Sequence, residues 1–465
     1  MKNRLNDLDS KSYMKFLKSW YIADVSSLPD FIRFFTKENN PEETPSAVAV
    51  YGIDYEALDL QRLTGRRIID IEQDLLTEKI SYAVINLQNE HLDSEKGVIN
   101  FFINTLTPIL KQIYNYLEPK RYLTILVRNH ESGNNFYPSA WHVGKLVTQY
   151  FEMKDEKLGC VNGSDTGNKN FPHTGSDIFY ALNFRHTLTA PQASTDVKYG
   201  PGRNFNKPDF PSWFILKPPP RHEKVKLHPA KFPEVLISRF IEKYTKPGDS
   251  VFDPMSGTGS TQMAALETGR LAYGCEITEH FHRIAVERLK QFSANNKIPG
   301  TDGNHPFIIA HGDAYFFDRT AGFPSEFDYI ITSPPYWDML NMKGAETQQK
   351  RRDKDLLTNY SDLDTDLGNC AEYDIFLAKL IRIYDKVISR LKPGGHMTII
   401  VKNIKKKGTI YTFAWDLVEK LAPEMELRDL NFWLQDDIRI APYGYGNAWV
   451  SNTFHQYCLT FRKNF

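Results

Sequence analysis

Short apolar runs alternate with amphipathic stretches through the second half of this chain. Ser250–Asp253, Leu271–Ile277, Phe307–Ala314, Phe327–Ile331 and His396–Lys402 each carry a compact apolar core. Runs of that length, bounded by turn residues, read as strands buried on both faces of a parallel sheet. Between them, Val235–Tyr244, Thr261–Thr268, Tyr373–Leu391 and Tyr411–Leu421 read as helices, the third closed by Lys392-Pro393-Gly394-Gly395. Asn431–Leu434 and Tyr457–Arg462 read as a final hairpin. Strand–helix alternation of this kind predicts an α/β fold.

The first half repeats the second. Leu117–Asn129 aligns without a gap on Leu391–Asn403, and the same offset places Tyr137 on Tyr411 and Ala140-Trp141 on Ala414-Trp415. Phe179–Arg185 resembles His455–Arg462 with a small shift. The strand Ile80–Ile85 then corresponds to Tyr329–Ile331, and Asn86-Leu87-Gln88-Asn89 stands where Ser333-Pro334-Pro335-Tyr336 stands. An offset shared by separate strings predicts an internal repeat. The copy in residues 1–189 lacks the serine, both prolines and the aromatic ring, and no glycine turn like Asp253–Gly259 precedes it. It is expected to be a degenerate α/β half, a recognition module or the mimic of a second subunit. Residues 190–226, rich in Pro and Gly, show no periodicity and read as a linker to a third segment, 227–465.

Candidate chemistry gathers at the strand ends of that last segment. Phe327–Ile331 runs into Thr332-Ser333-Pro334-Pro335-Tyr336-Trp337. Two prolines stop the ladder and stiffen the turn, because proline has no N–H and a fixed φ. The Ser333 hydroxyl and the Pro334 carbonyl can each accept one N–H of an exocyclic NH2 group, and Tyr336 can stack on the ring that carries it. Upstream, Asp253-Pro254-Met255-Ser256-Gly257-Thr258-Gly259-Ser260-Thr261 reads as a glycine turn opening a helix, where free N–H groups meet a ligand. Glu276 ends the next strand, about 20 residues on, a spacing that suits hydrogen bonds to ribose hydroxyls. Asp313-Ala314 ends the third, and Leu227–Glu234 with Phe232 leads into a helix.

These strings resemble the motifs of the amino-methyltransferases that act on DNA bases. Ser333–Tyr336 looks like their motif IV, in the form usual for cytosine-N4 enzymes, and Asp253–Thr261 like motif I, which holds S-adenosylmethionine (SAM). Residues 227–234 resemble motif X. The resemblance implies a Rossmann-like, seven-stranded SAM-dependent methyltransferase sheet over 227–465. It implies cofactor contacts from Phe232, Asp253, Pro254, Met255, Ser256, Gly257, Gly259, Ser260, Thr261, Glu276, Ile277, Asp313, Ala314 and Ser333, the acid at 313 facing the adenine amine. Catalysis is expected from Ser333, Pro334, Pro335 and Tyr336. The order X, I, IV fits one subgroup, yet no separate target-recognition domain follows motif IV. The implied activity is transfer to cytosine N4 after base flipping. Adenine N6 is the alternative, and an RNA-directed or non-catalytic SAM-binding protein the reading from another class.

Composition narrows this further. The 465 residues carry 57 Lys and Arg against 57 Asp and Glu, so any DNA-binding surface must be local. Candidates are Trp337, Lys350, Arg351, Arg352, Lys405 and Lys406, the middle three in a long polar stretch, Asn341–Asp366. Four cysteines form no C-x-x-C pair, which argues against zinc and a disulfide framework, so no metal is expected. No Pro-Cys pair exists, so methylation at carbon 5 of cytosine lacks its nucleophile. No apolar run reaches the roughly 20 residues of a membrane span. The expected setting is the cytoplasm of a prokaryote, beside the nucleoid, with DNA as partner and a cognate restriction endonuclease as a further candidate.

Overall fold

A computed structural model describes residues 6–37, 46–53, 59–132, 135–187, 203–204, 210–217, 232–296, 306–335, 337, 367–406, 408–436 and 450–464. The chain forms two compact units that do not follow it continuously. Unit one takes residues 1–215, 405–415 and 431–456, and unit two takes 216–404, 416–430 and 457–465. The boundaries expected at 189 and 227 therefore give way to an interleaved division.

In unit one, strands β1 (Ala47–Tyr51), β2 (Arg67–Asp70), β3 (Ile80–Asn86) and β4 (Leu117–Val127) run parallel in the order β2-β1-β3-β4. Strand β5 (Glu152–Asp165) and β6 (His173–Arg185) form an antiparallel pair, and β6 also lies against β4. Strand β7, Trp213–Leu216, pairs with β6 and is wholly buried. It corrects the expectation of a featureless linker: four consecutive large apolar residues outweigh the polar, proline-rich segment around them. Helix α1 (Ser27–Phe35) packs its phenylalanines into a core with Tyr82 and Tyr122. Helix α2, Ser139–Val147, carries Trp141, which stacks on Trp415 at 6.1 Å.

Unit two opens with helix α3 (Glu234–Tyr244) and strand β8 (Ser250–Asp253), then α4 (Ser260–Glu267), β9 (Leu271–Glu276), α5 (Glu279–Asn295), β10 (Phe307–His311) and β11 (Phe327–Thr332). Helix α6 (Tyr373–Ser389), β12 (Leu391–Val401), β13 (Met425–Gln435) and β14 (His455–Lys463) follow. The seven strands lie in the order β10-β9-β8-β11-β12-β14-β13, parallel from β10 to β12, with β14 antiparallel to β12. This is the Rossmann-like seven-stranded sheet the sequence predicts, with the terminal hairpin inserted antiparallel. Lys392–Gly395 does not end a helix as expected but lies inside β12, where the register with β11 shifts between Phe327 and Tyr329. Gly394 takes φ of 71° there.

The four cysteines are free and buried. Among the described residues, no three metal-ligating side chains cluster, and no helix is long and apolar enough to cross a membrane.

Candidate active site

The recess of interest lies at the carboxyl ends of β8, β9, β10 and β11, where open α/β sheets receive ligands. Asp253, the last residue of β8, is 2% exposed and organises its base. Its Oδ1 accepts the Met255 N–H at 2.9 Å and the Thr332 hydroxyl at 2.7 Å, and its Oδ2 accepts the Thr261 hydroxyl at 2.6 Å. One carboxylate thus ties the glycine turn, the first turn of α4 and the last residue of β11. Burial pushes its carboxyl above the usual range against the pull of these donors.

The turn then folds over Glu276. Gly257, at φ of 52°, donates its N–H to Glu276 Oε2 at 2.8 Å, and the Thr278 N–H reaches Oε1 at 2.8 Å. Only glycine adopts that φ freely, so the turn can aim its amide inward. Burial pushes the Glu276 carboxyl up to about 7 despite both donors. The Gly312 N–H donates to the Glu276 carbonyl at 2.9 Å, and Asp313 caps the following turn through the Tyr315 N–H at 2.8 Å.

The open recess has an empty volume of about 930 Å³, its mouth included. It gathers every described residue expected to hold the cofactor except one, and it includes Ser333, Pro334 and Pro335. The exception is Gly259, which stands behind the wall. It precedes α4 at φ of 77°, and a Cβ there would meet the Ala285 Cβ at 3.0 Å. Its work is close helix packing rather than ligand contact.

Sequence reasoning missed Thr258, Thr278, Gly312, Leu367 and Ile383, which also line the recess. Thr278 had a usable signal, two residues past the strand-end acid. Leu367 and Ile383 had none, since they arrive from a later turn and from α6.

Two expected DNA contacts are overturned. Trp337 is 3% exposed, donates its Nε1–H to the Cys370 carbonyl at 2.8 Å and packs edge-on to Tyr373. Its ring is consumed by the fold and offers no face to a base. Lys405 is held by the fully buried carboxylate of Asp155 and by the Ser451 carbonyl, which take the ammonium a phosphate would need. Lys406 keeps partial exposure on a hairpin of Ile404–Lys406 and Thr409–Tyr411. Tyr336, Lys350, Arg351, Arg352 and the stretch Asn341–Asp366 lie outside the described residues.

A family of known proteins, described as DNA methylase, matches residues 85–287. That span takes in the glycine turn and Glu276. Over this span the chain is similar to the DNA amino-methyltransferases. SAM is the cofactor of this family. The match also reaches back to the end of β3, well outside the segment 227–465 to which the motifs alone point, and stops short of Ser333–Tyr336.

Among relatives, the type II methyltransferase M.MjaI of Methanocaldococcus jannaschii is 24% identical over 50% of this chain and 83% of its own length. M.BglII of Bacillus subtilis, another type II methyltransferase, is 37% identical over 17% of this chain and 22% of its own. The DNA adenine methyltransferase YhdJ of Escherichia coli is 29% identical over 26% and 40%. The chain thus spans less than half of the latter two.

Proposed function

We propose that this chain transfers the methyl group of SAM to the exocyclic N4 amine of cytosine in DNA, at Ser333–Tyr336. The observation that carries this reading is the Thr332–Asp253 hydrogen bond, which sets Ser333 beside the glycine turn on the wall of one recess.

The recess suits SAM. Glu276 is a buried carboxylate held by two backbone N–H groups, and lining the recess it keeps acceptor capacity for paired hydroxyls. Asp253 holds the turn, and Phe232 and Asp313 also line the recess, the carboxyl of Asp313 being the acceptor proposed for the adenine amine. SAM, when bound, would supply an electrophilic methyl: the N–CH3 bond forms as the S–CH3 bond breaks, S-adenosylhomocysteine leaves, and the methylated amine releases one proton to solvent. Ser333 Oγ and the Pro334 carbonyl accept the two N–H bonds of the amine and turn its lone pair out of conjugation. Alignment then supplies much of the rate. The base must leave the duplex first, at a cost of a few kcal/mol. Stacking on Tyr336 offsets part of that cost.

Adenine N6 is the second reading, favoured by the likeness to a DNA adenine methyltransferase. A cognate restriction endonuclease is the protein partner proposed for either. The deciding experiment incubates the chain with labelled SAM and unmethylated DNA, then digests to nucleosides. Label in N4-methylcytosine supports the first reading and N6-methyladenine the second. Label on RNA alone sinks both.

A further inference from the structure

The likeness between the two halves extends far beyond the aligned strings, into side-chain hydrogen bonds. Phe31-Ile32-Arg33-Phe34-Phe35-Thr36-Lys37 at the end of α1 matches Phe240-Ile241-Glu242-Lys243-Tyr244-Thr245-Lys246 at the end of α3. Thr36 and Thr245 each return their hydroxyl to a carbonyl four residues back, Ile32 at 2.6 Å and Ile241 at 2.5 Å. Each hydroxyl oxygen then accepts the Nε–H of an arginine, Arg66 at 2.9 Å and Arg270 at 3.0 Å. Each arginine also caps the carbonyl of a threonine two residues before it, Thr64 or Thr268.

The sheets match bond for bond. Strands β3 and β4 pair Ile80 with Leu117 and, after a shift, Tyr82 with Tyr122. Strands β11 and β12 pair Phe327 with Leu391 and, after the same shift, Tyr329 with His396. The Tyr82 hydroxyl donates to Thr124 at 2.6 Å and Thr124 to Asn183 at 2.6 Å. Tyr329 donates to Thr398 at 2.6 Å, and Thr398 meets Thr460 at 2.8 Å. Phe35 stacks on Tyr82 as Tyr244 stacks on Tyr329. General α/β architecture demands none of these buried relays.

The match reaches the cofactor loop itself. Gly52, just past β1, has φ of 65° and donates its N–H to Glu72 at 2.9 Å, as Gly257 donates to Glu276. So the first half keeps one glycine at positive φ and an acid two residues past its strand, without the full Asp253–Gly259 turn, as the sequence predicts. What differs is the space between. Val50 stands where Asp253 stands, by pairing with Asp70 as Asp253 pairs with Gly274. Asn86 stands where Ser333 stands and donates its amide to the Gly52 carbonyl at 3.1 Å. A Cβ on Gly52 would lie 2.3 Å from the Asn86 carbonyl oxygen. The turn and the end of β3 are thus in contact through Gly52 and Asn86, whereas their counterparts Gly257 and Ser333 both line an open recess. Among the described residues no strand continues the sheet beyond β2, so nothing there corresponds to β10 and its Asp313.

We propose that unit one is a second, cofactor-free copy of the methyltransferase unit, sealed by the Asn86–Gly52 contact, so that each chain takes up one SAM. The family match entering at residue 85 fits this reading. Residues 1–189 hold 21 Lys and Arg against 24 Asp and Glu, which favours a structural pseudo-subunit over a phosphate-binding platform. This rests on the SAM reading of the recess in unit two.

Calorimetric titration of the full chain with SAM, without DNA, tests it. One equivalent is expected, abolished by Glu276→Ala. Glu72→Ala should leave stoichiometry intact and affinity within about twofold, with Tm lower by a few degrees at most. Two equivalents per chain, or loss of SAM binding in a folded Glu72→Ala variant, would overturn the proposal. No binding to the wild-type chain would instead remove the SAM reading of the recess.

Discussion

Thr332 joins the cofactor turn to the end of β11 through one hydroxyl, its 2.7 Å bond to Asp253. Thr332→Val keeps the shape and removes that bond, while Met255 and Thr261 still hold the carboxylate. A hydrogen bond to a charged group contributes about 1.5–3 kcal/mol. We expect kcat to fall roughly tenfold or more, since about 1.4 kcal/mol is tenfold in rate. SAM affinity should move little, and Thr332→Ser should restore turnover; equal losses in both parameters would show a merely structural role. Glu276 sets a pH dependence. Burial raises its carboxyl from 4.5 to about 7, so the folded chain holds a proton that the unfolded chain releases in that window. Its contribution to folding therefore weakens as pH rises from 4.5 to 7. Binding runs the other way, because ribose hydroxyls prefer the carboxylate: SAM affinity should rise with pH through about 7, and Glu276→Gln should flatten the profile in titrations. These residues were legible in the sequence because turn, acid and proline pair are local strings. The fates of Trp337 and Lys405 were not, since Cys370 and Asp155 lie 33 and 250 residues away.

Among the elements, β5 carries the most consequential charges. Asp155 and Lys157 are both fully buried on it, 2.7 Å apart, and Asp155 also holds Lys405 and the Ser451 N–H at 3.0 Å. Lys157 donates to the Phe16 carbonyl at 2.6 Å, fastening the N-terminal segment. The two lysines hold the Asp155 carboxyl well below its usual range against its burial, and burial lowers Lys157 to about 8. Removing one partner of a buried pair strands the other charge, so Asp155→Ala should destabilise by about 3–5 kcal/mol in urea unfolding. Asp155→Leu combined with Lys157→Met should lose less than the sum of the single changes. Strand β7 shows why an element can be missed. Trp213–Leu216 has no periodicity of its own, and its burial comes from pairing with β6. The bulge in β12 was hidden for the converse reason: Pro393-Gly394-Gly395 is turn chemistry that the sheet absorbs as a register shift.

Across the whole molecule, the two copies predict an asymmetric response to cofactor. A ligand at 100 times its Kd stabilises what binds it by about 2.7 kcal/mol. Hydrogen exchange with SAM present should slow in residues 253–278 and 312–314 and stay unchanged in 47–53 and 67–87. Protection of the second set would place SAM in unit one. The repeat was visible in sequence because strand and helix strings survive in both copies. The division into units was not, because it depends on pairing between remote segments. That division also bears on how the chain is made. Unit one waits for Lys405–Trp415 and Asn431–Gln456, so about 240 residues must be synthesised after Ile215 before it is whole. At roughly 5–20 residues per second, that leaves the nascent chain with a partial sheet for tens of seconds. Its apolar strands are then a natural substrate for ribosome-associated chaperones until Gln456 has emerged.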